Sequence, residues 1–202
     1  GLITKADLAA YKPAIRTPVR GSYRGYEIIS MAPPSSGGTH VIEILNILEG
    51  YNLRAMGFNS PDTLHVMIEA KKLAYADMLR YVADPKFSQV PVAGILSKDY
   101  ARQRARLTDL QKANCQVEAG VPPPAGNDTT YLCTVDREGN IVSLIQSNYG
   151  SFGSGLVPDK CGFVLQNRGG LFSLDTNHPN HLAGRKRPLH TIIPAMMAKD
   201  DV

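Results

Sequence analysis

Two threonines stand where a proline-rich segment gives way to a β-forming one, in the sequence Asn127-Asp128-Thr129-Thr130-Tyr131. Threonine favours strands, so the simplest interpretation is that both residues open a strand. A chemical interpretation is also open. If the chain is cut before Thr129, that residue carries a hydroxyl nucleophile together with a free α-amine, whose pKa of about 7.7–8.0 suits a general base near neutral pH. Thr129 is therefore a candidate nucleophile.

Two other motifs have weaker chemical interpretations. The loop Ser35-Ser36-Gly37-Gly38-Thr39 precedes a predicted helix and could hold an anion, but it lacks the lysine of a phosphate-binding loop, so a tight, closely packed turn is favoured. His178 and His181 are spaced to present two imidazoles to a metal. The proline between them and the lack of a regular element favour a surface loop instead. We expect no metal and no cofactor.

The composition is that of a globular protein with a core of its own, since 43% of the 202 residues are hydrophobic and 20% are charged. Three cysteines without a C-x-x-C pair argue against a disulfide framework and against a zinc ribbon. Cys133 falls in a predicted strand and is expected to be a small buried hydrophobe. The longest apolar run, residues 41–48, contains a glutamate and is far shorter than the roughly 20 residues of a membrane span.

The net charge of +4 is spread along the chain. Basic residues are densest at residues 102–106 and 185–187, and no nucleic-acid-binding motif accompanies them, so we expect solvated faces and no nucleic-acid partner. The chain begins with Gly1 instead of methionine and ends on a turn after a predicted strand. We therefore expect it to be the middle of a longer protein.

The elements that must position the candidate residues follow from periodicity and from end signals. Helices are predicted over residues 5–11, 39–49, 60–82 and 98–107, and strands over 19–23, 26–30, 130–135, 141–145, 162–166 and 191–198. Residues 24–25 and 136–140 predict hairpin turns, and residues 121–128 predict an exposed connection. Helices come first and strands cluster later, which predicts the α+β class.

The helix over residues 60–82 is predicted to bury one apolar face, because residues of that kind recur every three or four positions. That face consists of Met67, Ala70, Ala74, Met78 and Tyr81.

Six stretches of sequence, taken together in their order and spacing, form a pattern that is specific enough to indicate a protein family. They are Pro33-Pro34-Ser35-Ser36-Gly37-Gly38-Thr39-His40, residues 69–77 with Asp84-Pro85, Asp128-Thr129-Thr130, residues 135–140, Phe152-Gly153-Ser154-Gly155 and Lys186-Arg187-Pro188-Leu189. In these stretches, which span nearly the whole chain, the sequence resembles the γ-glutamyltranspeptidase family of N-terminal-nucleophile hydrolases. Members of that family are made as a precursor that cuts itself into a large and a small subunit.

The resemblance implies part of an αββα sandwich, with residues 1–128 from the end of the large subunit and 129–202 from the start of the small one. It implies cleavage between Asp128 and Thr129, followed by attack of Thr129 on a small γ-glutamyl amide such as glutathione. The acyl group would then pass to water or to an amine. Ser147 lies where the family has a threonine that hydrogen-bonds the nucleophile, and Asn167 lies on an asparagine of the substrate pocket. The two processed pieces would remain together as a heterodimer.

Several pocket positions depart from the family pattern. Tyr149 replaces an asparagine, Arg168 replaces Gln or Glu, and Leu171 replaces the aspartate that pairs with the glutamyl α-amine. His190-Thr191 replaces a serine pair that helps to hold the α-carboxylate. Loss of the aspartate removes a charge-assisted contact worth about 1.5–3 kcal/mol. An acylase of the same mechanism that acts on another amide, or a non-catalytic binding or assembly domain, therefore stays open beside the γ-glutamyl enzyme.

The resemblance also implies that two parts of the family's site lie outside these 202 residues. A substrate-binding arginine would precede Gly1, and the paired glycines of the oxyanion hole would follow Val202. Because loss of one oxyanion donor alone lowers the rate about 10²–10³-fold, we expect these residues on their own to be inactive.

Overall fold

The computed structural model describes residues 4–118 and 128–200. Its helices are α1 (Lys5–Ala10), α2 (Gly37–Leu48), α3 (Leu53–Met56), α4 (Pro61–Tyr81), α5 (Val92–Ile95) and α6 (Lys98–Ala105). Its strands are β1 (Val19–Tyr23), β2 (Tyr26–Ser30), β3 (Asp128–Val135), β4 (Ile141–Tyr149) and β5 (Ala195–Ala198), and a short 3₁₀ turn covers Arg168–Leu171. The predicted α+β class is confirmed. The predicted connection over residues 121–128 lies almost wholly outside the described residues.

The first sheet joins strands from both ends of the chain. β1 and β2 form the predicted hairpin, with Arg24 (φ 51°) and Gly25 (φ 84°) in the left-handed conformation that a two-residue turn requires. β5 then pairs antiparallel with the other edge of β2, which gives the order β1-β2-β5. The predicted strand over residues 191–198 is confirmed only for its second half.

The second sheet is the β3–β4 hairpin. Its turn matches the prediction, because the Asp136 carboxylate accepts a 2.8 Å hydrogen bond from the Asn140 N–H. Both strands are longer than predicted, and the ladder has an irregularity between Asp128 and Thr129. The Ser143 hydroxyl donates to the Ala195 carbonyl over 3.2 Å and thereby links this hairpin to the first sheet.

Helix α2 is the centre of the helical layer. It packs against α4 and α6 on one side and against β1 on the other. The apolar core of this layer contains Ile47, Leu48, Val66, Ala70, Leu73 and Ala101. The contact with β1 is close because Gly21 has no side chain: a Cβ there would overlap the Ile42 side chain.

Helix α4 begins as predicted, with the Ser60 hydroxyl accepting from the Thr63 N–H at 3.1 Å. Its buried face is only partly the predicted one. Ala70, Ala74 and Met78 are buried, but Met67 and Tyr81 are exposed. The buried stripe also includes Val66, Leu73 and the acids Glu69 and Asp77. Both acids can be buried because each forms an ion pair with a basic side chain. A search for apolar residues alone therefore does not identify the whole buried face of α4.

Two further predictions are wrong. Residues 162–166 form no strand, because no neighbouring strand pairs with them within the described chain. Cys133 is exposed because the face of the β3–β4 hairpin that carries it is not covered by the described residues.

No helix within the described residues is long and apolar enough to cross a membrane.

Candidate active site

The backbone of the β3–β4 hairpin brings four of the predicted site residues together in two pairs. Thr129 lies directly opposite Ser147 in the antiparallel ladder, and Asp128 lies opposite Tyr149. The intervening Asn148 is therefore an extra residue on β4, as in a β-bulge. Residues opposite each other in such a ladder have Cα atoms about 4.5–5.5 Å apart, so the candidate nucleophile and the candidate hydroxyl partner are neighbours.

Ser147 and Tyr149 shape the end of β4. The Ser147 hydroxyl accepts a 2.9 Å hydrogen bond from the Tyr149 N–H. Tyr149 has φ 79°, a left-handed conformation that is rare for a residue with a large side chain. Strained backbone of this kind clusters at functional sites.

Arg168, on the 3₁₀ turn, is packed beneath this strand end. Only 6% of the residue is exposed. Its Nη1 donates to the Ser147 carbonyl over 2.9 Å, and its guanidinium lies 5.5 Å from the centre of the Tyr149 ring. The predicted substrate-binding arginine is therefore anchored to the backbone of the predicted helper residue.

Asn167 has a positioning role in addition to any contact with substrate. Its side-chain oxygen accepts from the Gly150 N–H at 3.0 Å, and its own N–H donates to the Asn148 carbonyl at 3.1 Å. Asn167 thus ties the 3₁₀ turn to the bulged end of β4 from both its side chain and its backbone.

His190 and Thr191 lie on an extended segment that the loop over residues 33–36 holds in place. The His190 N–H donates to the Pro34 carbonyl at 3.1 Å, and the His190 carbonyl accepts from the Ser36 N–H at 2.9 Å. The Ser35 hydroxyl donates to the Ile192 carbonyl at 2.5 Å. Burial, together with the positive charges of Arg168 and Arg16, lowers the pKa of His190 to about 4, so the ring is neutral at pH 7. Thr191, beside it, is half-buried.

The glycines of the same loop serve close packing, which confirms the predicted tight turn. A Cβ on Gly37 would lie 2.9 Å from the Ile193 Cα, and one on Gly38 would overlap Val19. The Ser36, Gly37 and Gly38 N–H groups donate to His190, Ser35 and Met31. These groups are engaged within the protein, so they are not available to hold an anion.

Asn180 is a structural residue of the site that the sequence analysis missed. It is 2% exposed, its side-chain NH₂ donates to the Leu171 carbonyl at 2.8 Å, and its side-chain oxygen accepts from the Leu189 N–H at 3.0 Å. One side chain therefore links the 3₁₀ turn to the segment that leads into His190. The sequence held only an indirect signal, which is that Asn180 lies between the two histidines of the motif His178-Pro179-Asn180-His181.

The histidine motif forms a half-buried loop. The His178 Nδ1 accepts from the Asn180 N–H at 3.0 Å, so this ring helps to orient Asn180. Among residues 4–118 and 128–200, no group of three or more His, Cys, Asp or Glu side chains is placed to hold a metal.

Both basic runs expected to be solvated are partly buried. Lys186 is 7% exposed and donates to the Pro179 carbonyl at 2.7 Å. Arg187 binds the buried carboxylate of Asp84 through Nε at 3.0 Å and Nη2 at 2.6 Å. In the other run, Arg104 forms an ion pair of 2.8 Å with Asp77. The acids that pair with these basic residues lie elsewhere in the chain. The charge of a short basic run therefore does not decide whether its side chains face solvent.

Comparisons with known proteins agree with this architecture. The family described as gamma-glutamyltranspeptidase matches residues 1–202. A glutathione hydrolase proenzyme of Escherichia coli (strain K12) is 42% identical across 99% of this chain and 37% of its own length. An acylase ACY 1 proenzyme of Pseudomonas sp. (strain SE83) is 41% identical across 99% of this chain and 36% of its own length. The chain therefore spans little more than a third of these curated relatives.

Solved structures give the same result. The crystal structure of cephalosporin acylase from Bacillus halodurans matches with a TM-score of 0.82 and 41% identity, over 100% of this chain and 35% of that one. A gamma-glutamyltranspeptidase of Helicobacter pylori matches 61% of this chain and 36% of its own, with a TM-score of 0.56 and 44% identity. Both the transpeptidase and the acylase branch therefore share the fold described here.

Proposed function

We propose that this chain, which belongs to the gamma-glutamyltranspeptidase family, carries the nucleophile of an amide-cleaving enzyme, namely Thr129. The observation that supports this most directly is the pairing of Thr129 with Ser147 at the irregular start of the β3–β4 ladder. A hydroxyl at Ser147 can hydrogen-bond the nucleophile, and Arg168 holds the Ser147 backbone.

The first step of the proposed mechanism frees the nucleophile. In the precursor, the Thr129 hydroxyl attacks the Asp128 carbonyl carbon, the C–N bond to Thr129 breaks, and the nitrogen takes up the proton as the new α-amine. Water then hydrolyses the resulting ester and releases Asp128 with a free α-carboxylate as the new chain end. The free amine is a suitable base for the next reaction because its ordinary pKa lies near neutrality.

The second step is acyl transfer from a small-molecule amide. The Thr129 α-amine takes the hydroxyl proton as the oxygen attacks the amide carbonyl, and the leaving amine receives that proton as the C–N bond breaks. The acyl group is then an ester on Thr129. Water or an amine attacks this ester, which gives hydrolysis or transfer.

Two classes of acyl donor fit this mechanism. One is a γ-glutamyl amide such as glutathione, which the proenzyme name of the Escherichia coli relative suggests. The other is an amide without a glutamyl α-amine, as the acylase relatives suggest. Leu171 favours the second class, because a leucine cannot pair with an ammonium group.

After the proposed cleavage, residues 1–128 and 129–202 belong to two subunits that remain together. β2 and β5 come from opposite sides of the cut and share one sheet. The Asp84–Arg187 ion pair joins the two sides as well, with Asp84 1% exposed. The backbone hydrogen bonds between β2 and β5, together with this ion pair, support a heterodimer that stays assembled after the cut.

The test is mass spectrometry of the full-length protein. We expect two chains, one of which begins at Thr129, and we expect Thr129→Ala to give a single uncut chain without amidase activity. Thr130→Ala is the matched control, because it alters the neighbouring threonine and should leave cleavage in place. A wild-type protein that stays uncut and behaves like Thr129→Ala would favour a binding or assembly domain instead.

A further inference from the structure

The chain that follows α6 is hydrogen-bonded to helix α4 at two points. The His65 ring donates from Nε2 to the Asp109 carbonyl over 2.7 Å, and the Lys72 ammonium donates to the Asn114 carbonyl over 2.6 Å. Both donors lie on α4, and both acceptors are backbone carbonyls. Because His65 and Lys72 are about two helical turns apart, the later chain is held along that length of the helix.

A third contact is apolar. Val117 is half-buried and packs against the apolar core that α2, α4 and α6 form. Residues 109–117, here called the docked segment, are exposed except at Asn114 and Val117. Burial and contact with the helices therefore identify the same two anchors in the second half of this segment.

Lys72 is itself held in place by a buried acid. Its ammonium forms an ion pair with Glu69, about one turn earlier on α4, and Glu69 is 1% exposed. Fixing a lysine side chain in one conformation costs entropy, and the ion pair already restricts this one. The donor to the Asn114 carbonyl is therefore preorganised.

Two short turns stiffen the docked segment. The Asp109 carboxylate accepts a 2.8 Å hydrogen bond from the Gln111 N–H, and the Asn114 side-chain oxygen accepts a 3.0 Å hydrogen bond from the Gln116 N–H. Each turn begins at a residue whose carbonyl is bonded to α4. Local and tertiary contacts thus fix the same two points of the segment.

The docked segment ends shortly before the proposed cleavage site. Val117 lies eleven positions before Asp128, whereas Ala105, the last residue of α6, lies twenty-three positions before it. Asp128 is also the first residue of β3, so the ladder restrains the scissile bond from its C-terminal side. Among the described residues, the docked segment supplies the nearest anchor on the N-terminal side.

We propose that the docked segment positions the scissile bond for self-cleavage, and that Lys72 is a positioning residue for this step. This inference rests on the proposed cleavage before Thr129. The entropic cost of holding a chain between two fixed points rises with the number of residues between them. Shortening that connection from twenty-three positions to eleven makes the productive arrangement about threefold more populated.

The bond chemistry of the cleavage is unchanged. The Thr129 hydroxyl attacks the Asp128 carbonyl carbon, the C–N bond breaks with the proton passing to the new amine, and water opens the ester. Lys72 contributes only through the backbone that it holds, so its effect belongs to the rate of this step and not to later acyl transfer.

The experiment inserts one Gly/Ser stretch, as long as the connection from Val117 to Asp128, at two places in the full-length protein. One insertion follows Glu118 and lengthens that connection. The other lies between Thr108 and Asp109, upstream of all three anchors. The precursors are synthesised in a cell-free system, and their conversion into two chains is followed over time by gel electrophoresis.

We expect the insertion after Glu118 to slow cleavage about threefold, because it doubles the length of the connection. The insertion before Asp109 should leave the rate unchanged, because the anchors lie between it and the scissile bond. If the segment were not an anchor, both insertions would lengthen one continuous connection and slow cleavage alike, by about twofold. Equal effects of the two insertions, including no effect of either, would overturn the inference.

A residue-level variant tests the anchors themselves. It combines Lys72→Met and Val117→Ser with Glu69→Gln, and the last change avoids leaving a buried carboxylate without its ion pair. We expect cleavage to slow about twofold, since the first of the three anchors remains. The kcat/KM of the fully cleaved protein for γ-glutamyl p-nitroanilide should stay at the wild-type value.

The matched control combines Lys71→Met with Leu110→Ser, because both residues are exposed neighbours of the altered ones. This control should be cleaved at the wild-type rate. If kcat/KM of the Lys72 variant fell in step with its cleavage rate, the role would be a general structural one and the inference would fail. A wild-type protein that remains uncut would instead refute the proposed function itself.

Discussion

Two arginines in this protein, one partly buried and one buried, have different surroundings. Arg104, between helices α4 and α6, has its Nε 2.8 Å from the Asp77 carboxylate, which also accepts a 2.9 Å hydrogen bond from the Tyr100 hydroxyl. Arg168, below the end of β4, contacts a carbonyl and an aromatic ring and has no acid partner among the described side chains. The first arginine is paired with an acid, and the second forms no ion pair with the side chains that the structure describes.

Arg104, Asp77 and Glu43 form one group between helices α2, α4 and α6, here called the helical cluster. This cluster also controls the charge of its second acid, Glu43. Glu43 on α2 is completely buried, and burial together with the neighbouring Asp77 carboxylate raises the pKa of Glu43 to about 10. Glu43 is therefore protonated at pH 7, which leaves one cation and one anion in the cluster. The comparison teaches that the neutralisation of an arginine depends on acids supplied by other elements, as Asp77 on α4 does for Arg104 on α6.

The largest expected effect comes from unbalancing the helical cluster. Asp77→Asn removes the carboxylate that pairs with Arg104, and we expect the free energy of unfolding to fall by about 3–5 kcal/mol. Thermal or denaturant unfolding of the full-length protein measures this. Arg168→Gln is the comparison variant, since it removes a cation that forms no ion pair with the described side chains, and its cost should stay below about 1 kcal/mol. Equal losses in the two variants would mean that both arginines are structural.

The second prediction concerns pH. Because the pKa of Glu43 in the folded state, about 10, lies above the ordinary value of 4.5, the folded state retains a proton that the unfolded state loses. Stability from this group is complete below about pH 4.5 and declines as the pH rises toward 10, by at most about 1.4 kcal/mol per pH unit. Glu43→Gln should flatten the decline between pH 6 and 8, as measured by unfolding at each pH. An unchanged slope would place the pH dependence elsewhere.

The smallest effect is expected from adding an anion to the 3₁₀ turn that carries Arg168. Leu171→Asp supplies a partner for an ammonium group, so kcat/KM for γ-glutamyl p-nitroanilide should rise about tenfold. The control is Leu174→Asp, because Leu174 is exposed and lies nearby. Phe172 is less suitable as a control position because it is half-buried. A γ-glutamyl rate that does not rise would contradict the role given to Leu171.

Local signals in the sequence were sufficient for several elements. The β1–β2 hairpin has its predicted bounds because Arg24-Gly25 specifies a tight turn between two β-forming runs. The start of α4 is equally local, since Ser60 caps it and Pro61 fits its first turn. Elements of this kind depend on neighbours within a few residues, so they can be predicted without knowing the fold.

Elements that need a distant partner were predicted poorly. Residues 162–166 have β-forming composition but no pairing strand in the described chain, so they remain irregular. Lys186 and Arg187 were expected to face solvent, yet Asp84, about a hundred positions earlier, binds Arg187 through both carboxylate oxygens. Asn180 gave no signal of its own, because its role depends on Leu171 and Leu189 meeting around it.

The sequence by itself determined the chemical candidates: Thr129 after Asp128, Ser147 as a possible partner, and the replacement of an expected acid by Leu171. Thr129 follows from residue type and order, and the other two follow from the resemblance to the gamma-glutamyltranspeptidase family. Only the tertiary structure decided that Ser147 lies opposite Thr129, that Asn167 positions the end of β4, and that Arg168 is buried against the Ser147 carbonyl. The physical reason is that hydrogen bonding and charge neutralisation depend on distances of a few ångströms between residues far apart in the chain, and folding alone sets those distances.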